Sequence, residues 1–386
     1  MSKTLRAIGL MSGTSIDGID VALIETDGED AVQRGPSATF AYDAAFRGRL
    51  AAAIDDARGL SDRCARPGRL GDVERELTAR HATAVEHFLA GQRLASADID
   101  VIGFHGQTVL HVPGTRSFAT LPDARVMTVA PTLTVQIGDG AELARRTGID
   151  VVWDVRAADA AAGGQGAPLV PVYHRAMAAR LPLRPVAVVN VGGVGNVTWI
   201  GRDGTLIAFD TGPGNALIDD WMLRQTGKAV DADGAMAAGG KVDASALNAL
   251  LMSPYFGRVP PKSLDRNAFA MDPVLRLSVA DGAATLTAFT AASLARAREH
   301  FPEQPRAWVI CGGGRRNRTL MSMIAAEVES AVVPAEAAGF DGDAVEAEAW
   351  AYLAVRSLRG LPITFPGTTG VAAPTCGGVL ARADRR

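Results

Sequence analysis

The sequence predicts an α/β protein with mixed sheets, built in two halves that open on the same device. Three observations carry this expectation. Apolar runs of strand length alternate with helical stretches through the first half. Gly163-Gly164-Gln165-Gly166-Ala167-Pro168 then interrupts the pattern and reads as the crossing between domains. Beyond it the chain restarts with strand, glycine-rich turn and strand, repeating in pattern the opening strand, turn and strand. Two such hairpins, one per half, are expected to face each other across a central cleft, where ligands commonly bind.

The elements follow in order. Leu5 to Leu10 is a buried strand, and Ile19 to Glu25 returns with Ile19, Val21 and Leu23 on one face. Between them, Ser12, Gly13, Thr14, Ser15, Asp17 and Gly18 make a turn of small and hydroxylated residues. Such a turn is either a cradle of backbone N–H groups for a phosphate or a plain hairpin turn. No G-x-x-x-x-G-K-[ST] run occurs, so a Walker-type site has no support. Arg47 to Arg93 has helical spacing, Asp100 to Phe104 is a short strand, Val135 to Ile137 leads into a helix near Ala141, and Ile149 to Trp153 is a buried strand. In the second half, Val186 to Val191 and Val197 to Ile200 flank the turn Gly192-Gly193-Val194-Gly195-Asn196. Ala307 to Ile310 leads into Cys311-Gly312-Gly313-Gly314, with a helix from Leu320.

Composition narrows the function. At 386 residues the chain is long enough for roughly two domains. Its 48% apolar and 21% charged content is that of a soluble globular protein, and a net charge of −3 with interspersed signs points to neither nucleic acid nor an anionic membrane. Cys64, Cys311 and Cys376 are widely spaced, without a metal or disulfide pattern, which fits a reducing cytoplasm. No apolar run has the length of a membrane span, and no signal peptide is apparent.

Asp210 is the leading catalytic candidate. The strand Leu206 to Phe209 is expected to end there, before a tight Gly-Pro-Gly turn and a helix capped by Asn215, which leaves a carboxylate on rigid backbone where a general base belongs. Its bland alternative is an Asp that satisfies turn amides. Glu346 and Trp350 share a helix face from which Glu348 falls away, and solvation is the default for both glutamates. His105 and Gln107 follow a buried strand and are placed to bond a polyhydroxylated ligand. Asp154, Arg156 and Asp159 form a charged cluster of either structural or substrate-facing kind, and Lys262, with Asp265 and Arg266 nearby, offers cations to a closing cleft.

Taken together, GLMSGTSIDGID, FHGQT, TVQIGDG, WDVRAAD, GGQGAPLVP, NVGGVGNV, FDTGPGN, PPKS, CGGGRRN and the VEAEAW helix resemble the anhydro-N-acetylmuramic acid kinase family over almost the whole chain. The resemblance implies the two-domain actin-like ATPase fold, with duplicated ribonuclease H-like domains. The expected boundaries are residues 1–156 plus about 370–386 for the first domain and 157–369 for the second. ATP would be met by Gly13, Thr14, Ser15, Ile16, Asp17, Gly18, Ile19 and Asp20, by Gly192 and Gly193, and near the adenosine by Gly312, Gly313, Gly314 and Asn317. The sugar would be met by His105, Gln107, Asp159, Gln165, Gly166 and Asn196. Asp210 matches the family's catalytic Asp, and Glu346 a glutamate that places the attacking water. Mg²⁺ would be held mainly through the ATP phosphates, and a cytoplasmic homodimer is implied. The implied reaction opens a 1,6-anhydro ring with water and phosphorylates the freed O6. Departures from the family pattern are Val155, Leu264 with Asp265, and the arginines Arg315 and Arg316 after the third glycine. Two other readings remain at this point: a conventional sugar or small-acid kinase of the same superfamily, and a non-kinase actin-like ATPase module.

Overall fold

The computed structural model describes residues 3–13, 15–121, 124–264 and 268–384, with residues 115–121 and 124–129 described by their backbone alone. The chain divides into two compact units, Met1–Met177 with Ala344–Arg386, and Ala178–Asp343.

The first unit is built on β1 (Leu5–Ser12), β2 (Gly18–Thr26), β3 (Val32–Ala41), β4 (Val101–Val112), β7 (Leu133–Ile137) and β8 (Val151–Trp153), while β5 (Thr115–Leu121) and β6 (Ala124–Ala130) form a separate hairpin. The sheet runs β3-β2-β1-β4-β8 and ends on the C-terminal strand Val379–Ala381, with β7 paired to the far part of β4. Neighbours β1–β2 and β2–β3 are antiparallel, whereas β1–β4 and β4–β8 are parallel.

One face of this sheet is covered by the helices Ala44–Ala57 and Leu70–Gln92, whose Phe46, Leu50, Leu77, Val85 and Phe88 pack with Ile8, Leu10, Val21 and Phe104. Each such side chain contributes roughly 1.5–3 kcal/mol on full burial. Asp43 starts the first helix by accepting from the N–H of Phe46 at 2.8 Å, which satisfies one of its orphan donors. The helix Val345–Leu358 also lies against the sheet with almost no spacing. A Cβ on Gly9 would sit 1.7 Å from the Ala347 carbonyl oxygen, and one on Gly103 2.0 Å from that of Trp350, so only glycine permits this approach.

The second unit repeats the plan. Its strands are β9 (Val186–Val191), β10 (Val194–Ile200), β11 (Leu206–Pro213), β12 (Ala307–Cys311) and β13 (Ala331–Pro334), in the order β11-β10-β9-β12-β13. The first three are antiparallel in sequence order, and β9–β12 and β12–β13 are parallel. Order and direction therefore match β3-β2-β1-β4-β8, which is the duplicated, ribonuclease H-like arrangement of the actin-like fold expected from the sequence. Trp199, Phe209, Leu294, Trp308, Ile310, Leu320 and Ile324 fill one core cluster, and Trp221, Tyr255, Phe256 and Phe289 a second.

Several elements differ from expectation. The region from Arg47 to Arg93 is two helices. β4 runs on through His105 to Val112, bending at Gly106 with φ 68°. β11 runs past Asp210 to Pro213, which pairs with Val194. Because β11 is an edge strand, the missing proline N–H disturbs no ladder. The compact units part at residues 177 and 343, where the sequence reading places boundaries at 156 and 369. The reason is packing: Val345–Leu358 belongs to the first sheet through Gly9 and Gly103, and Tyr173 donates to Glu348 of that helix at 2.7 Å.

Candidate active site

In the first unit, the turn after β1 is tied down from within. Ser12 and Gln107 are fully buried. Ser12 Oγ donates to Gln107 Oε1 at 2.8 Å and meets the Tyr42 hydroxyl at 2.9 Å, while Gln107 Nε2 donates to the Gly13 carbonyl at 3.1 Å. Gln107 thus spends both amide ends on holding the hairpin. Within the turn, Ser15 Oγ donates to Asp17 Oδ1 at 2.7 Å and Ile16 adopts φ 47°, a strained region for a β-branched residue. Gly18, Ile19 and Asp20 are the first residues of β2, with the Ile19 side chain in the core. Thr14, assigned to phosphate binding, lies outside the described residues, as do Asp265 and Arg266.

Beside this hairpin sits a polar group built around Arg156. Its guanidinium donates to His105 Nε2 at 3.2 Å and to the Gly166 carbonyl at 2.8 Å, and lies 5.4 Å from the Trp350 ring. His105 meets the same ring at a tilt, with centroids 4.7 Å apart, and its Nδ1 faces the Ser12 carbonyl at 3.2 Å. Burial, with Arg156 beside it, pushes His105 down to about 3, so the imidazole is neutral. With Nε2 accepting from Arg156, the proton belongs on Nδ1. Glu346 is half-buried in the first turn of its helix. Burial raises its proton affinity and Asp20 adds to the rise, while Arg156 opposes it. Glu346 and Trp350 thus share the Arg156 side, as the helical spacing predicts. Glu348 departs from its expected solvation: it is buried on the hydroxyl of Tyr173.

Asp159 is buried as well. Its Oδ2 accepts from the Gly166 N–H at 2.7 Å and its Oδ1 from Thr369 Oγ1 at 2.5 Å. Gln165 donates from Nε2 to the Gly114 carbonyl at 3.1 Å. Asp159, Arg156 and Gln165 therefore shape the Gly163–Pro168 loop from inside the first unit. Asp154, in a left-handed conformation at φ 51°, pairs with Arg63.

In the second unit, register brings three predicted pieces to one end of the sheet. Gly195 pairs with Val191 and Gly212, Asn196 lies opposite Asp210, and Cys311 lies beside Asn190. The turn Gly192–Gly193, the Gly312–Gly314 turn and Asp210 thus lie at the same sheet edge. Asp210 is anchored at three polar atoms: its N–H donates to the Lys262 carbonyl at 3.0 Å, its carbonyl accepts from the Tyr255 hydroxyl, and its Oδ2 accepts from the Leu264 N–H at 2.8 Å. Burial pushes the carboxyl up to about 7, with the Leu264 hydrogen bond opposing. Lys262 is buried between the rings of Tyr255 and Phe209, with Nζ 4.9 and 5.5 Å from their centroids.

The glycines of this edge fall into two groups. A Cβ on Gly214 would lie 2.2 Å from the Gly192 carbonyl oxygen, and one on Gly312 2.3 Å from Asn190 Oδ1, so these serve internal packing. At Gly192, Gly193 and Gly313, and at Gly13 in the other unit, a Cβ would meet no atom of the chain closer than 3.6 Å, and none has a left-handed φ. Asn215 precedes the helix Ala216–Thr226 without capping it. Its Nδ2 donates to the Val191 carbonyl at 3.1 Å, and its N–H to that of Gly192 at 2.7 Å. Asn317 does cap a helix, its Oδ1 accepting from Leu320 N–H at 2.9 Å, and that helix starts at Arg318.

Twin units, each closing a glycine hairpin at its sheet edge and each carrying a half-buried carboxyl group with raised proton affinity, define an α/β enzyme of the phosphotransfer class. Sequence comparison makes the class specific. The family model described as anhydro-N-acetylmuramic acid kinase matches residues 5–383, and the chain belongs to that family. A relative of that name from Rhizobium etli is 55% identical over 99% of this chain and 100% of its own length. One from Rhodospirillum rubrum is 54% identical over 96% of this chain and 93% of its own. Among solved structures, (R)-2-hydroxyglutaryl-CoA dehydratase component A from Acidaminococcus fermentans is similar at 11% identity and a TM-score of 0.48, covering 91% of this chain and 99% of that one.

Proposed function

We propose that the protein is an ATP-dependent kinase that opens the 1,6-anhydro ring of 1,6-anhydro-N-acetylmuramic acid with water and phosphorylates O6. The products are N-acetylmuramic acid 6-phosphate and ADP, and the reaction serves peptidoglycan recycling. Family membership supports the substrate. The structural support is Asp210: a residue whose main chain is held by Lys262 and Tyr255 and whose carboxyl group is held by the Leu264 N–H, on a strand beside glycines that no internal contact requires.

In this reading Asp210 takes a proton from the attacking water. Its raised pKa, near neutrality, suits a base that must accept and then release a proton. Glu346 orients the same water, and its balance between Asp20 and Arg156 tunes its charge. The water oxygen bonds to the anomeric carbon and the bond to the bridging oxygen breaks. The freed O6 then attacks the γ-phosphorus of ATP, and ADP leaves. Backbone N–H groups at Gly13, Gly192 and Gly193 stabilise phosphate charge, and the turn at Gly312 to Gly314 with Asn317 lies by the adenosine. His105, Gly166 and Asn196 meet the sugar. Gln107, Asp159 and Gln165 act on it by holding the hairpin and the loop. Mg²⁺ would come on the ATP phosphates and neutralise their charge. Cytoplasmic location and a homodimeric state complete the proposal and rest on the family resemblance.

The deciding experiment is coupled ADP release with anhydro-N-acetylmuramic acid against N-acetylmuramic acid and glucose, run in labelled water. The expected result is turnover with the anhydro sugar and label at the anomeric carbon. Turnover without label would favour a conventional kinase, and ADP release indifferent to sugar a non-kinase ATPase.

A further inference from the structure

Arg315 departs from the small residues the family resemblance leads one to expect after the third glycine, and it is buried, with 5% of its side chain exposed. Its guanidinium makes three separate bonds. Nη1 donates to the Gly312 carbonyl at 2.9 Å, Nε to Glu336 Oε1 at 2.8 Å, and Nη2 pairs with Asp343 Oδ2 at 2.9 Å. The fork also packs against Gly342, where a Cβ would be 2.2 Å from Nε. A planar group with donors along several edges can join a turn and a chain segment in this way, which a lysine cannot reproduce. Arg316, by contrast, is 66% exposed and pairs with the shared Asp343.

The segment that Arg315 grips ends the second unit. Asp343 is its last residue, and the helix that begins at Val345 carries Glu346 in its first turn. We infer that Arg315 is a positioning residue that transmits occupancy of the Gly312–Gly314 turn to the chain segment bearing Glu346. This rests on the proposed nucleotide site at that turn. A nucleotide that fixes the turn fixes the Gly312 carbonyl, and with it the guanidinium, Gly342 and Asp343. The Glu346 carboxylate is then set for its water only when nucleotide is present.

The test uses the full-length enzyme with Arg315→Met, Arg315→Lys and Arg316→Met. Arg315→Met should lower kcat by about tenfold or more with the KM for the sugar within about twofold, Arg315→Lys should recover part of that loss, and Arg316→Met should stay within about twofold of the native enzyme. Hydrogen exchange with a non-hydrolysable ATP analogue supplies a readout that loss of stability alone would not move. The analogue should slow exchange at residues 312–317 and 340–346 in the native enzyme, but only at 312–317 in Arg315→Met. Should Arg315→Met fold poorly, Asp343→Asn, on the exposed partner, should lower kcat in the same direction. Native-like kcat in Arg315→Met, or equal slowing at 340–346, overturns the inference while leaving the nucleotide site intact. No slowing at 312–317 in the native enzyme overturns the nucleotide site itself.

Discussion

The Leu264 N–H donates to Asp210 Oδ2 at 2.8 Å, so the main chain of the segment after Lys262 holds the carboxylate. A main-chain donor fixes direction without bringing a positive charge. Burial therefore dominates, and the carboxyl stands at about 7.

A base with that affinity sets the acid side of the pH profile. Log kcat should rise with unit slope below an apparent pKa near 7 and level off above it. Asp210→Asn should lose about 10²–10⁴-fold in kcat, with nucleotide affinity unchanged by calorimetry. Near-native turnover in that variant would remove Asp210 from the role.

The same shift has a consequence for stability. The folded state binds the Asp210 proton more tightly than the unfolded chain, so this group's contribution is full at low pH. It is lost as pH rises from the ordinary carboxylate range through 7. Melting temperatures of Asp210→Asn and the native enzyme should be closest near pH 4, with the variant gaining steadily up to pH 7–8 (about those values, by linkage).

The two groups of glycines predict opposite phenotypes. Gly193→Ala meets nothing nearer than 3.8 Å, so its stability should stay within about 0.5 kcal/mol while the KM for ATP rises. Gly214→Ala drives a methyl into the Gly192 carbonyl at 2.2 Å and should cost about 1–3 kcal/mol or more in urea unfolding.

Removing the buried strap of the first hairpin should affect both properties. Gln107→Leu takes one of two partners from Ser12 Oγ, which keeps the Tyr42 hydroxyl, and one of two from the Gly13 carbonyl, which keeps the Ile16 N–H. Denaturant unfolding should show a loss of about 0.5–1.5 kcal/mol, together with a raised KM for ATP. A variant of native stability and KM would show that the strap does not hold the hairpin.

Arg156→Met tests the electrostatics around His105. With the cation gone, the largest influence after burial among those holding the imidazole at about 3 disappears, and its titration should move upward in NMR. An unmoved His105 would remove Arg156 as a cause and leave burial, with His81, to hold the imidazole down.

Much of this was legible in the sequence, for reasons visible in particular residues. The hairpins β1–β2 and β9–β10 were readable because small turn residues separate strands of strong apolar pattern. Asp210 stood out at a strand beside glycines. The extension of β11 to Pro213 was not readable, since Gly-Pro-Gly signals a break and only an edge position excuses the proline. β3 escaped because its residues are mostly exposed and include Gly35-Pro36, another edge-strand pattern. The buried roles of Gln107, Asp159 and Glu348 depend on partners as remote as Ser12, Thr369 and Tyr173, and no local spacing reports them.

The helix Val345–Leu358 returns to the first sheet only after the whole of Ala178–Asp343 has intervened. A nascent chain leaving the ribosome therefore holds β1, β2 and β4 with one face bare until nearly the last forty or so residues emerge. The inserted unit, being continuous, can close its own core first. Premature termination within it would release a polypeptide with a stripped apolar sheet, and such fragments should be found with chaperones or in aggregates rather than as small folded domains.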